Sequence, residues 1–304
     1  MQAVIQLTQR CNYHCDFCFA NPLPGKQVYA SPETYRYLET LSHMGVRRVT
    51  FSGGEPTLVR DLTEVVKFAK SFGMTVALAT NGSRPHHAAL SEVDHIQLSL
   101  DGPSTVHNRV RGSRAAYANV VRCIERAQVP VSVQVTVTKE TSASLSETLC
   151  IIADLPVLFV SIIPVDGART SASSPWLFEV FRVVRHHFLR KPATQRIFTP
   201  LAPRLLARGL AENQLRAGAL PWFIYPQAHR ISLGSPSTNW RSVFHLDHLE
   251  SFFAESFNLQ RRAVQYLKSC TRFLPYENEV VNVESLVHHA VQNALCHHSL
   301  GERR

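Results

Sequence analysis

The segment Ala3-Val-Ile-Gln-Leu-Thr-Gln-Arg-Cys11-Asn-Tyr-His-Cys15-Asp-Phe-Cys18 runs from a β-rich stretch, Ala3–Leu7, straight into three cysteines within eight residues. Spacings of four and three let one short loop wrap a metal centre, and soft thiolates select zinc or an iron–sulfur cluster over hard cations. A structural zinc site takes four Cys or His ligands, and His14 is available as the fourth. The triplet alone fits either centre.

Outward from this strand, β-rich runs alternate with helical patterns. Ala3–Leu7 is followed by Pro32–Met44, Arg48–Phe51 by Leu62–Phe72, and Thr75–Ala79 by a short polar stretch. Ile96–Leu100 precedes Ala116–Ala127, Val131–Val137 precedes Leu145–Ala153, and Val157–Ile163 ends the series. Strands alternating with helices predict parallel strands joined by right-handed crossovers. Ser31 before Pro32 predicts a helix start, with the hydroxyl capping the first amides and proline at the first helical position. The expected fold class is α/β, a partial (β/α)6 TIM-like barrel over residues 1–167, with functional loops at the strand C-termini. Residues 168–304 are expected to form a mostly helical extension. It would hold helices over Trp176–Leu189, Leu249–Leu267 and Asn282 onward, and hairpin strands at Ile231–Leu233 and Val243–Leu246 around Ser235–Asn239.

Composition narrows the class. The chain has 304 residues, 45% hydrophobic and 18% charged, with 13 Gly and 17 Pro. These values exclude disorder and collagen-like repetition and allow a sizeable core. The most apolar run, Thr148 to Ile163, is broken by Asp154 and Pro156, so no membrane span is expected. No export signal is expected at the N-terminus, and seven cysteines without a disulfide pattern fit a reducing cytoplasm. The formal net charge is +9, and residues 171–304 carry 16 Lys/Arg against 9 Asp/Glu. Such a tail suits an anionic partner or a merely solvated surface. Cys123, Cys150, Cys270 and Cys296 stand singly and are expected in core positions. The histidine pairs His288-His289 and His297-His298 point different ways on a helix and are read as its surface.

The tips of the later strands carry small polar groups beside glycine. Ser52-Gly53-Gly54-Glu55-Pro56-Thr57 ends the second strand, and its glycines let a backbone approach a ligand closely while Glu55 offers an acceptor for an ammonium group. Thr80-Asn81-Gly82 ends the third strand, and Ser99-Leu100-Asp101-Gly102-Pro103 ends the fourth. Four consecutive tips on one barrel face thus carry residues of ligand-binding type.

This constellation resembles the radical S-adenosylmethionine (radical SAM) enzymes over roughly residues 3–165. The resemblance rests on the Cys-x3-Cys-x2-Cys loop with Phe17 before its last cysteine, on Gly-Gly-Glu-Pro and on the two later tips. Gly53–Asp61 looks like the molybdenum-cofactor precursor synthase branch. Ser99–Pro103 with His107, Arg109 and Arg111-Gly112 looks like the peptide-modifying branch. Viperin-like nucleotide enzymes resemble Cys11–Cys15 and Phe51–Pro56 but match Ser99–Pro103 poorly.

The resemblance implies one [4Fe-4S] cluster on Cys11, Cys15 and Cys18, whose fourth iron binds S-adenosyl-L-methionine. Reductive cleavage of that sulfonium would give a 5′-deoxyadenosyl radical that abstracts hydrogen from a peptide or a small anionic substrate. It further implies that Phe17 lies near the adenine, that Gly53, Gly54 and Glu55 hold the methionyl ammonium, and that Pro56 stiffens the turn. Thr80 and Ser99 would reach the carboxylate or ribose, with Asn81 and Asp101 beside them and Gln134 as a further ribose candidate. His107, Arg109 and Arg111 are substrate-contact candidates, or local loop ion pairs. A low-potential donor such as flavodoxin or ferredoxin is implied, and no nucleic acid is expected. Residues 171–304 contain only Cys270 and Cys296, so no auxiliary cluster is expected and the segment is read as closing the barrel and shaping the substrate pocket. The alternative of another class is a non-catalytic zinc-binding barrel with a basic tail facing nucleic acid.

Overall fold

The computed structural model describes residues 2–18, 23–24, 28–164 and 175–190, and short strands at 196–198, 201–203, 222–225, 230–233, 244–245 and 280–282. Six parallel strands form its centre: β1 (Gln2–Thr8), β2 (Arg48–Gly53), β3 (Thr75–Thr80), β4 (His95–Ser99), β5 (Val131–Val137) and β6 (Phe159–Pro164). They lie side by side in chain order. Between them run α1 (Pro32–His43), α2 (Leu62–Ser71), α3 (Ala89–Glu92), α4 (Ser104–Val110), α5 (Ala116–Arg126) and α6 (Leu145–Ala153). The fold is the expected α/β partial barrel.

One face of the sheet is covered by helices. The longer helices bury stripes spaced three and four apart, such as Leu62, Val65, Val66 and Ala69 of α2 or Val120, Cys123 and Ile124 of α5. These stripes meet Ile5, Phe51, Leu78, Leu98, Val133 and Ile162 in one continuous core. Full burial of such a side chain contributes roughly 1.5–3 kcal/mol. Pro32 occupies the first turn of α1, but the Ser31 hydroxyl caps no amide. It pairs instead with the Thr34 hydroxyl at 3.3 Å. The helix α4, absent from the expected elements, follows Pro103 directly.

The last third follows the expected pattern in part, with the hairpin strands found as Arg230–Leu233 and Phe244–His245. The helix α7 (Pro175–Arg190) forms where Trp176–Leu189 was expected, and its Val180 and Val184 enter the main core. The strand Arg196–Phe198 then adds in parallel to β6. Trp222–Tyr225 adds in parallel to β1, and Arg230–Leu233 and Phe244–His245 continue antiparallel beyond it. The C-terminal third therefore widens the sheet at both edges, giving ten strands in all. The segments Leu249–Leu267 and 283–304, the hairpin turn, and Cys270 and Cys296 lie outside the described residues. Among the described residues no helix is long and apolar enough to cross a membrane.

Candidate active site at the strand tips

The cysteine loop leaves β1 through an irregularity. Gln6 pairs with Ser52 and Thr8 with Gly53, so Leu7 is an extra residue on the first strand, and the bulge turns the chain toward the loop. Here the two glycines show their use. A Cβ on Gly53, at φ +143°, would stand 2.4 Å from the Thr8 carbonyl oxygen, and one on Gly54 would stand 2.2 Å from that of Arg10. The close approach is to the backbone that carries Cys11. The Gly54 and Glu55 amides donate to Thr8 and Arg10 carbonyls at 2.8 Å each, riveting the second tip to the root of the loop.

Glu55 is wholly buried. Its Oε1 accepts from the Thr57 amide at 3.0 Å, the Thr57 hydroxyl at 2.6 Å and the Thr80 hydroxyl at 2.6 Å. Its Oε2 accepts from the Asn81 amide at 2.8 Å. A carboxylate has about four acceptor directions, so one on Oε2 is left for an ammonium group. Glu55 is first a clamp joining the tips of β2 and β3 and a cap for the 3₁₀ turn Pro56–Leu58. Thr80, expected at the cofactor, gives its hydroxyl proton to Glu55. Asn81 carries the clamp onward: its Nδ2 donates to Asn12 Oδ1 at 3.1 Å and to Cys11 Sγ at 3.7 Å. Asn12, which sequence reasoning passed over, also accepts from the Ser83 hydroxyl at 3.3 Å.

A second clamp comes from the fourth tip. Asp101, wholly enclosed, accepts from Arg111 Nε at 2.5 Å and from the Thr136 amide at 2.9 Å. Its own amide donates to His107 Nδ1 at 3.0 Å. Burial opposes the Asp101 charge, yet the Arg111 guanidinium and the His107 and Arg111 hydrogen bonds overcome it and hold the carboxyl down at about 2. From this ion pair Arg111 Nη1 reaches Cys15 Sγ at 3.6 Å, and the guanidinium lies 5.1 Å from the Phe17 ring centroid. The Asp16 amide donates to the Val110 carbonyl at 3.2 Å, tying the loop to the end of α4. His107 and Arg111, expected as substrate contacts or local loop ion pairs, are buried against Asp101, whereas Arg109 is exposed.

The three thiols share one short loop. Cys11 and Cys18 both act on the charge of Cys15, whose thiol burial pushes up to about 11 against the pull of Arg111. Burial also raises the Cys11 thiol. Among the described residues no three His, Cys, Asp or Glu side chains converge as one metal ion requires. A cubane places its thiolates on separate irons and needs no such convergence. One short loop of grouped sulfurs, two of them already receiving side-chain donors, fits a cluster held by Cys11, Cys15 and Cys18. Of the remaining thiols, Cys123 is in the core as expected, donating to the Gly82 carbonyl at 3.4 Å, but Cys150 is exposed on α6.

Below the tips, the sheet face that no described helix covers has a different character. The register puts Gln6 beside Ser52, Ala79 beside Gln97, and Gln134 between Ser99 and Ser161. The six polar side chains among these, Gln6, Ser52, Gln97, Ser99, Gln134 and Ser161, are all half-buried. None of them makes a side-chain hydrogen bond to another described residue. Ser99 and Gln134 stand among the expected contacts; the other four were missed.

Comparison with known proteins agrees with this geometry. Residues 5–149, just under half of the chain, match the Radical SAM superfamily. A probable GTP 3′,8-cyclase from Methanopyrus kandleri is 34% identical over 54% of this chain and 56% of its own length. A PqqA peptide cyclase from Rhodopseudomonas palustris is 34% identical over 44% of this chain and 38% of its own. The chain thus spans about half the length of such relatives or less. Among solved structures, Streptococcus suis SuiB bound to S-adenosylmethionine superposes with a TM-score of 0.63 at 18% identity, covering 83% of this chain and 65% of that one. It shows the shared fold.

Proposed function

We propose that this chain is a one-cluster radical SAM enzyme that abstracts hydrogen from a peptide substrate. Bound to Cys11, Cys15 and Cys18, a [4Fe-4S] cluster supplies the electron that cleaves S-adenosylmethionine to methionine and a 5′-deoxyadenosyl radical. The chain's own residues do the rest. Glu55, Asn81 and the Asp101–Arg111 pair fix the loop to the tips of β2, β3 and β4. Gly53, Gly54 and the spare Oε2 direction of Glu55 lie where the methionyl ammonium is expected, and Ser99 and Gln134 where the ribose is. Residues 1–167 form the radical core and 168–304 shape the substrate pocket. A flavodoxin or ferredoxin serves as electron donor.

The observation that carries the peptide reading over an anionic metabolite is the chemistry of the uncovered face. Its upper half offers amides and hydroxyls, and among the described residues no Lys or Arg, which suits main-chain amides better than phosphates. The nucleotide reading draws on the 34% identity to the probable GTP cyclase. Deuterated precursor peptides and deuterated GTP, offered separately to the reconstituted enzyme, separate the two. Deuterium entering 5′-deoxyadenosine from peptide is expected; transfer from GTP alone overturns the peptide assignment.

A further inference from the structure

Among the described residues, Arg111 is the one side chain that reaches both a cysteine-loop sulfur and a buried counter-charge. We propose that it is a positioning residue that sets the reduction potential of the cluster held by Cys15, an inference that rests on the cluster reading above. Its guanidinium is two-sided. Nε faces Asp101 at 2.5 Å and Nη1 faces Cys15 Sγ at 3.6 Å, so the ion pair directs its positive end at the sulfur and its negative end away. The Phe17 ring lies against the guanidinium, and the Arg111 side chain is only 9% exposed, so solvent screens the charge little.

Reduction adds one negative charge to a cluster, and donors to its sulfurs stabilise that state more than the oxidised one. Stability is a weak reason for burying such a pair, because apolar replacements of similar volume are often neutral or better. The contact with sulfur supplies another reason. The other donors act on Cys11 and are neutral, the Tyr13 amide at 3.4 Å and Asn81 Nδ2 at 3.7 Å, so the charged Arg111 exerts the larger effect.

The geometry gives two substitutions opposite signs. Removing the cation with Arg111→Gln leaves Cys15 without its charged donor, and the midpoint moves to a more negative potential. Removing the counter-charge with Asp101→Asn leaves the cation unopposed, and the midpoint moves the other way. The test is an anaerobic redox titration of the reconstituted full chain, read by electron paramagnetic resonance of the reduced cluster, with iron content and circular dichroism on each variant. For Arg111→Gln a tenfold fall in the reduced-to-oxidised ratio at fixed potential is expected, which is about 59 mV for one electron. Arg111→Lys should recover at least half of it.

An unchanged Arg111→Gln midpoint in protein with full iron content overturns the inference while leaving the cluster reading intact; a wild-type chain that takes up no cluster overturns the cluster reading itself. If Arg111→Gln does not fold, the Asp101→Asn titration decides: a less negative midpoint supports the proposal, and an unchanged or more negative one contradicts it.

Discussion

The strand tips and the sheet face beneath them treat their polar groups in opposite ways. At the tips, Glu55 accepts four protein hydrogen bonds, and Asp101 is enclosed by Arg111, His107 and Thr136. A few ångströms down the same strands, Gln6, Ser52, Gln97, Ser99, Gln134 and Ser161 are half-buried without a described partner. A buried polar group left unmade costs about 1–3 kcal/mol. Folding has thus satisfied most of the first region from within, Tyr13 Oη and His107 Nε2 excepted, and left the half-buried second region open. The tips brace the cysteine loop, and the face is the binding surface we propose.

Substitutions in the scaffold should be severe and those on the face mild in stability but not in turnover. The largest effect belongs to Cys15→Ala: iron content and 5′-deoxyadenosine formation should both fall to background in an anaerobic assay, while circular dichroism keeps the α/β signal. Gly54→Ala comes next. Its new methyl would stand 2.2 Å from the Arg10 carbonyl oxygen, and backbone cannot yield as a side chain can. A loss of about 3 kcal/mol in denaturant unfolding is expected, the upper end for overpacking, together with poor cluster uptake. Glu55→Gln puts an amide donor among four donors, and should lose about 2–3 kcal/mol by the same measurement.

The acid limb of stability tests the second clamp. Asp101 is held at about 2 in the folded chain against an ordinary value of 3.8. A lowered carboxyl contributes stability that is present above the ordinary value and lost as pH falls through the folded one. The melting temperature should drop between about pH 4 and pH 2, and Asp101→Asn should flatten that limb. The smallest stability effect is expected for Gln97→Ala and Ser161→Ala, within about 0.5 kcal/mol of wild type. Their signature is a raised KM for peptide, and a wild-type KM in both would remove the distinction between scaffold and binding face.

Much of the scaffold was legible in the sequence because its signals are local. Strand and helix rhythm gave the six parallel strands, and the spacing of Cys11, Cys15 and Cys18 gave one short cysteine loop. What stayed hidden depends on which distant groups meet. Arg111 lies 96 positions beyond Cys15, and no periodicity announces that its guanidinium reaches back to that sulfur. Glu55 read as a ligand for an ammonium because its four donors come from the third tip as well as its own turn. The binding face did leave a trace. Strands of a doubly covered parallel sheet should be almost continuously apolar, yet Gln97, Gln134 and Ser161 interrupt β4, β5 and β6 on one face. The strands that flank the six, Trp222–Tyr225 and Arg196–Phe198, were missed because four- and three-residue runs are too short to carry a period.

The most direct test of the account is reconstitution of the oxygen-protected full chain with iron and sulfide, followed by dithionite and S-adenosylmethionine, with 5′-deoxyadenosine measured by chromatography. About four irons per chain and steady release of 5′-deoxyadenosine and methionine are predicted. A colourless chain that binds one zinc and leaves S-adenosylmethionine intact would contradict it.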